Sequence, residues 1–479
     1  MKLNTKSKKA LAKIGLQLMK VDFIMNTFLK WGEKQILDIL VVKNPRNRPI
    51  GSQEDKYIAV RNLIRTFEKK FKEGSLSPAV RSWVFDKLVK DIILNWAERH
   101  PEAAERRRNE DPLPVFMTIS PTQKCNLHCF GCYAASSKKT PASLEWDIVD
   151  KLMEQKREYW GSYFTVISGG EPLMWESQGK SIIDLFEKHN DNFFLMYTNG
   201  TMIDRSVAKR FGELGNITPA ISVEGFEKHT DERRGKGTFK KIVDAMTCLK
   251  EEGVIFGASL TATRQNAEEI TSDEFLDFFF DELGASYIWM FQYMPIGRGP
   301  TFDMMITAEQ RRQLWFRERY IQREREIFVI DFWNGGPISD GCISAGRKGG
   351  YLYIDWHGNV MPCVFVPYSV GNIKTDFFDK GKNVDDILKT PFFTGLRDWQ
   401  AHYSYKVPVE KTGNEIVPCP IRDHHDEFHR IAEKSNAIPV GSTTEVAFKD
   451  KEFIKDLTEV GKQADKATKD IWVQEYLKH

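Results

Sequence analysis

Cys125, Cys129 and Cys132 stand within one short run, CNLHCFGC. Three thiolates this close can hold three irons of a 4Fe–4S cubane and leave the fourth iron open. An open iron is a place for chemistry rather than a structural clip. Two plainer readings compete with it. One is zinc on the three thiolates plus His128; the other is a disulfide pair with a spare thiol, although a chain of 479 residues needs no staple. Context separates them. Pro114 to Ser120 reads as a buried strand, so the cysteines lie on the loop leaving its carboxyl end. Tyr163 to Ser168 reads as the next strand, and Gly169-Gly170-Glu171-Pro172 leaves its carboxyl end in turn. Strand ends on one face of an α/β barrel are where catalytic loops gather.

The elements that must hold these loops follow from the hydrophobic pattern. Candidate strands are 114–120, 163–168, 192–198, 217–224, 254–262 and 286–292, with amphipathic stretches between them. Six βα units favour a parallel sheet, curled into an open or closed barrel. Residues 1–113 read as helical, with apolar residues at spacings of three and four from Leu11 to Phe28, Tyr57 to Phe71 and Val80 to Trp96. The segment from Pro101 to Pro114, with Arg106-Arg107-Arg108, reads as a linker. A chain that is 41% hydrophobic can bury a large core and divide into two or three domains. The net charge is +2, but residues 1–110 carry 24 Lys/Arg against 13 Asp/Glu, and the remainder is net acidic. Lys13, Lys20 and Asp22 interrupt the one long apolar stretch near the start, which excludes a membrane span or secretory segment there. A reducing cytoplasm, peripheral at the inner membrane face if the basic start binds lipid, suits a set of free thiolates.

The cysteine motif followed by Gly-Gly-Glu-Pro resembles the radical S-adenosylmethionine (radical SAM) superfamily. The resemblance implies a partial (β/α)6 TIM-like barrel. It also implies reductive cleavage of SAM at a 4Fe–4S cluster on Cys125, Cys129 and Cys132, giving a 5′-deoxyadenosyl radical that takes hydrogen from a substrate. On that reading Gly169, Gly170 and Glu171 receive the methionine ammonium, and Ser222 and Glu224 bond the ribose. One of the pair Arg233-Arg234, here taken as Arg234, meets the SAM carboxylate. Tyr197-Thr198-Asn199-Gly200 matches the end of the third strand. The family carries an aromatic just before the third cysteine; this chain has Gly131 there, with Phe130 and Tyr133 on either side as alternatives.

A second cysteine set follows a predicted helix over 307–324. Cys342 precedes Gly346, a hairpin of Tyr351 to Asp355 with Val360-Met361, then Pro362-Cys363; Cys419 stands between Pro418 and Pro420. This resembles the SPASM and twitch extensions that bind auxiliary iron–sulfur clusters. With three cysteines rather than seven, the resemblance implies one auxiliary 4Fe–4S cluster on Cys342, Cys363 and Cys419. Its fourth ligand is then a non-cysteine side chain or an open position. His425 and His429 share a helix face nearby and read as a solvated polar face, with a cluster-ligand or metal role as the alternative, and Cys248 reads as a small core residue. The expected domains are an N-terminal helical, basic region (1–113), a radical SAM core (114–300), a SPASM/twitch-like domain (301–440) and a C-terminal helical tail (441–479).

Two substrate classes remain open at this point. Many SPASM and twitch enzymes modify peptides, so a peptide maturase is the first expectation. Residues 1–113 show no strand pair of the kind a leader-binding module needs, which favours the second, a lipid or small metabolite. A SAM-inactive iron–sulfur redox module is the non-enzymatic alternative. The resemblance implies a reductant such as flavodoxin or ferredoxin. The basic, amphipathic start could lie on an anionic membrane surface, dock an acidic peptide or carrier protein, or cap the barrel, and no motif supports nucleic acid.

Overall fold

A computed structural model describes residues 22–441 and 449–478, with side chains from residue 29 onward. Its centre is a nine-stranded sheet. In chain order the strands are β1 (Phe116–Ile119), β2 (Phe164–Ile167), β3 (Phe193–Thr198), β4 (Ile217–Val223), β5 (Gly257–Ala262), β6 (Tyr287–Gln292), β7 (Phe328–Asp331), β8 (Tyr351–Ile354) and β9 (Val360–Met361). They lie in the order β9-β8-β1-β2-β3-β4-β5-β6-β7, parallel throughout except for the β8–β9 hairpin.

All six strands expected of the barrel form. Their outward residues, such as Ala258, Leu260 and Ala262 of β5, are buried against helices, whereas inward ones such as Ser259 and Thr261 line a cavity. The helix Trp146–Trp160, for example, buries Trp146, Val149, Leu152, Met153 and Trp160 and stops at Gly161 in the left-handed region. Two further parallel strands extend the sheet. The run Phe328-Val329-Ile330 adds β7 beside β6. At the other edge β8 pairs in parallel with β1, Phe116 opposite Tyr351 and Ile119 opposite Ile354. The hairpin after Cys342 is therefore part of the barrel wall, not a separate module.

The N-terminal helices cap the barrel. Ala59, on the helix Ile50–Lys72, packs with Val166, Leu195, Ala220 and Tyr287 inside the strand-start end. Asp55 on the same helix takes Arg319, Arg323 and the Tyr476 hydroxyl, the last at 2.8 Å. Arg48, almost wholly buried, reaches Glu415 at 2.6 Å. These ties join the cap to the helix Ala308–Arg323 and to the last helix. The expected linker is instead structured: Pro101–Arg108 is a helix with Ala103 and Ala104 buried, and Arg106 pairs with Asp385 at 2.8 Å. Its basic residues misled the sequence reading because their stems and heads serve packing and pairing. The basic helix expected before residue 22 lies outside the described residues.

Candidate active site

The three cysteines sit on the long loop that leaves β1. Two N–H groups from the Gly-Gly-Glu turn after β2 pin that loop: Gly170 to the Thr122 carbonyl and Glu171 to the Lys124 carbonyl, both at 2.8 Å. The approach leaves no room for side chains. A Cβ on Gly169 would stand 2.6 Å from the Thr122 oxygen, and one on Gly170 2.2 Å from the Lys124 oxygen. The glycines thus serve the cysteine loop directly. Arg298, just past β6, holds the other side of the loop. Its guanidinium donates to the Cys129 carbonyl at 2.7 Å and to the Ser136 carbonyl, and its N–H to the Cys132 carbonyl at 2.9 Å. No local pattern marked Arg298; only its place at a strand's carboxyl end hinted at it.

All seven cysteines are free thiols, so no disulfide forms. His128, which the zinc reading needs, is exposed. Cys125 is buried, and its sulfur accepts the Leu127 N–H at 3.5 Å. Burial pushes its thiol up to about 11. Burial also raises Cys129, against the pull of the nearby Arg234 charge. Thiols held this way ionise when a metal displaces the proton, and the cationic neighbours then stabilise the thiolates. Three free thiols on one loop, lining one cavity, have the donor chemistry that an iron–sulfur cluster takes.

A cavity of about 240 Å³ opens beside these sulfurs and runs into the barrel. Cys125, Cys129, Cys132, Gly169, Gly170, Ser222, Arg233 and Arg234 all line it. Glu171 and Glu224 are not among its lining residues, and both carboxylates are engaged by protein partners. Glu171 is fully buried and accepts from the Thr198 hydroxyl at 2.8 Å, the Asn199 N–H at 2.9 Å and the Leu173 N–H at 3.2 Å. Burial raises its carboxyl, and those donors oppose the shift. It fastens the end of β3 to the cysteine loop. Glu224 takes Arg233 at 2.6 Å and the Arg234 Nε at 3.0 Å, which orients both guanidinium groups at the cavity edge.

Of the two aromatics flanking Gly131, Tyr133 lines the cavity, donating to or accepting from Ser168 at 2.8 Å and accepting the Gly169 N–H at 3.2 Å. Phe130 is 53% exposed. The space beside Gly131 is taken by Tyr293, whose ring would lie 2.7 Å from a Cβ there. Deeper in, Phe116, Phe164, Trp289, Phe291, Phe332 and Phe365 make an aromatic wall. Among the lining residues are no Asp, Glu, His or Lys side chains.

The second cysteine set converges from three distant segments. Cys363 accepts the Tyr351 hydroxyl at 2.9 Å and the Phe365 N–H at 3.5 Å. Burial lifts the Cys363 thiol to about 12, with Cys342 the next cause. Cys419 is raised by burial and then by Cys342, Asp423 and Cys363, so the three sulfurs feel one another. Beside them Asp423 accepts two bonds from the buried Arg311, the longer 3.2 Å. Arg422 donates to Gln292 at 2.6 Å and lies over the Trp333 ring. His425 is not solvated as expected. It is buried, bonded through Nδ1 to the Ile421 carbonyl at 2.7 Å, and stacked on Phe428.

A parallel α/β barrel with three thiols on one strand-end loop and a second cysteine set beside its edge is an arrangement that iron–sulfur proteins use. Comparison with known proteins agrees. Residues 119–274 match the radical SAM superfamily and residues 342–407 the SPASM iron–sulfur cluster-binding domain. The mycofactocin maturase MftC of Mycolicibacterium smegmatis is 30% identical over 58% of this chain and 71% of its own length. An AdoMet-dependent heme synthase of Methanosarcina barkeri is 27% identical over 54% of this chain and 78% of its own. Among solved structures, SuiB of Streptococcus suis bound to the precursor peptide SuiA superposes with a TM-score of 0.50 at 18% identity, over 72% of this chain and 83% of that one. The chain belongs to the radical SAM superfamily. It is an enzyme whose cofactors are a 4Fe–4S cluster and SAM, with an auxiliary iron–sulfur domain. Among the described residues no helix is long and apolar enough to cross a membrane.

Proposed function

We propose that this chain is a radical SAM peptide maturase. Cys125, Cys129 and Cys132 would hold the reactive cluster, and Cys342, Cys363 and Cys419 the auxiliary one. Bound there, cluster and SAM would supply a 5′-deoxyadenosyl radical for hydrogen abstraction. Gly169, Gly170, Ser222 and Arg234 are the residues that would touch SAM, with Arg234 meeting its carboxylate. Glu171 and Glu224 would act one step back, Glu171 by holding the cysteine loop and Glu224 by aiming the arginines. Tyr133 and Tyr293 are the rings available to the adenine.

The observation that carries the substrate class is the aromatic end of the cavity, where Phe116, Phe164, Trp289, Phe291, Phe332 and Phe365 form a wall beyond the residues that would take cluster and SAM. That wall suits an apolar or aromatic side chain presented by a longer partner. The relative named a maturase, and SuiB solved with its precursor peptide, support the same reading. The wall carries no carboxylate, imidazole or amine, which leaves tyrosine hydroxyls and cysteine thiols as its proton-transfer groups.

The small-metabolite reading draws on the heme synthase relative. One experiment separates the two. Anaerobically reconstituted enzyme, dithionite and SAM are incubated with a library of peptides carrying aromatic and aliphatic side chains or with Fe-coproporphyrin, and 5′-deoxyadenosine is counted against product by mass spectrometry. Coupling to a peptide supports the maturase reading; coupling to the porphyrin alone replaces it. A flavodoxin or ferredoxin would serve as reductant. The basic N-terminal region would further hold the enzyme at an anionic membrane face, a reading supported by Ile39 and Val42, exposed at 49% and 72%. Flotation with anionic vesicles at low salt tests it, and no binding would end it.

A further inference from the structure

Tyr351 stands in two sites at once. Its ring lines the reaction cavity, stacked on Phe116 at 4.9 Å with the planes 4° apart, and edge-on to Phe332 at 6.0 Å. Its hydroxyl donates to the Cys363 sulfur at 2.9 Å. The backbone fixes this placement. Tyr351 N–H donates to the Ile343 carbonyl at 2.9 Å, its carbonyl accepts from Gly346 at 2.8 Å, and the residue faces Phe116 across the parallel β8–β1 ladder. Ile343, Val364 and Phe365, neighbours of Cys342 and Cys363 in the chain, line the same cavity. The shell of the auxiliary site is therefore one wall of the reaction chamber.

We propose that Tyr351 is a positioning residue that couples the reaction cavity to the auxiliary site: its hydroxyl holds the Cys363 thiolate, and its ring makes that hold responsive to what fills the cavity. The inference rests on the reading of Cys363 as an auxiliary-cluster ligand. A hydrogen bond to a ligating thiolate spreads its negative charge and favours the more negative, reduced cluster, which raises the reduction potential. A group pressing on Phe116 or Phe332 moves the ring, and the ring carries the hydroxyl. Substrate occupancy and the ability of the auxiliary cluster to take an electron are then linked through one side chain.

Tyr351→Phe removes the hydroxyl and keeps the stack. EPR-monitored redox titration of anaerobically reconstituted protein reads the result. The variant keeps the iron content of the wild type and an unchanged SAM-perturbed signal. Its auxiliary midpoint moves negative, by about a tenfold change in the oxidised-to-reduced ratio at fixed potential, or 59 mV for one electron. An unmoved midpoint overturns the proposal. Tyr353→Phe is the control: that hydroxyl is equally buried but bonds Ser120 at 2.9 Å. An equal auxiliary shift in the control would reduce the effect to loss of any buried hydroxyl and overturn the assignment. Phe116→Leu removes the stacked ring without touching a cysteine. It shifts the auxiliary midpoint in the same direction by less, and a wild-type midpoint there would break the coupling to the cavity. Cys363→Ala distinguishes failure of the underlying reading, because unchanged iron content in that variant means Cys363 is no ligand at all.

Discussion

The two thiol sites are built in opposite ways. The reactive set lies on one loop, and the fold's task is to pin that loop: Gly170 and Glu171 from the β2 end, Arg298 from the β6 end. The auxiliary set comes from three segments, after the Ala308–Arg323 helix, after β9 and before the His425–Lys434 helix, and no one loop contains it. Its sulfurs meet only when the sheet and the C-terminal helices are in place. The first set faces the cavity with its thiols; the second reaches the cavity only through neighbours such as Tyr351 and Phe365. A local site survives as a motif, and a dispersed one depends on the whole core.

The largest effect that contrast predicts is the most asymmetric. Replacing Cys125, Cys129 and Cys132 together by Ala abolishes 5′-deoxyadenosine formation and removes about four of about eight irons, leaving the auxiliary cluster assembled. Deoxyadenosine from the triple variant would move the reactive site elsewhere. The converse pair, Cys342→Ala with Cys363→Ala, also loses about four irons and forms no product, yet still cleaves SAM. If SAM cleavage falls with the iron in that pair, the two sites are not independent and the contrast fails.

A smaller effect tests how the loop is pinned. In Gly170→Ala the new methyl meets the Lys124 and Gln123 carbonyls at 2.2 and 2.6 Å, so the cysteine loop must retreat. A displacement of about 1 Å at a reacting centre can cost about 100-fold in rate, and that loss of SAM cleavage is expected with the auxiliary iron intact. Near-normal cleavage in Gly170→Ala would show that the Gly-Gly turn does not set the loop.

The same difference explains what was legible in the sequence. Cys125, Cys129, Cys132 and the Gly-Gly-Glu turn are short-range patterns, and six strands announce themselves by apolar runs. The run Phe328-Val329-Ile330, closed by Asn334-Gly335-Gly336-Pro337, carried a comparable signal for β7 but is short, between Glu326 and Asp331. That β8 joins β1 could not be read, because parallel pairing across the chain leaves no local trace. Arg298, and the Glu224 pairing with both arginines, are likewise contacts between distant segments. The helix at Pro101–Arg108 was hidden behind three arginines whose partners lie elsewhere, one of them Asp385. The general rule is that residue types mark chemistry, whereas the carboxylates and arginines that orient it are marked only by the fold.

His425 gives the finest probe of the dispersed region, since its burial was itself invisible to the helix-face argument. Burial lowers its pKa to about 4, so it is neutral in the folded protein. The unfolded chain binds a proton below about 6.5 and the native state does not until about 4. Stability from this group is therefore complete above about pH 6.5 and is lost progressively as pH falls from there toward 4. Between pH 7.5 and 5.5 the expected loss is about 1 kcal/mol, by the proton-linkage relation. Thermal melting of the anaerobic holoenzyme across that interval should show it, and His425→Phe, which keeps a ring against Phe428, should flatten the dependence by the same amount. Parallel pH profiles for the two proteins would mean that His425 is already charged or already solvated. The auxiliary region would then owe less to burial than the contrast between the two sites requires.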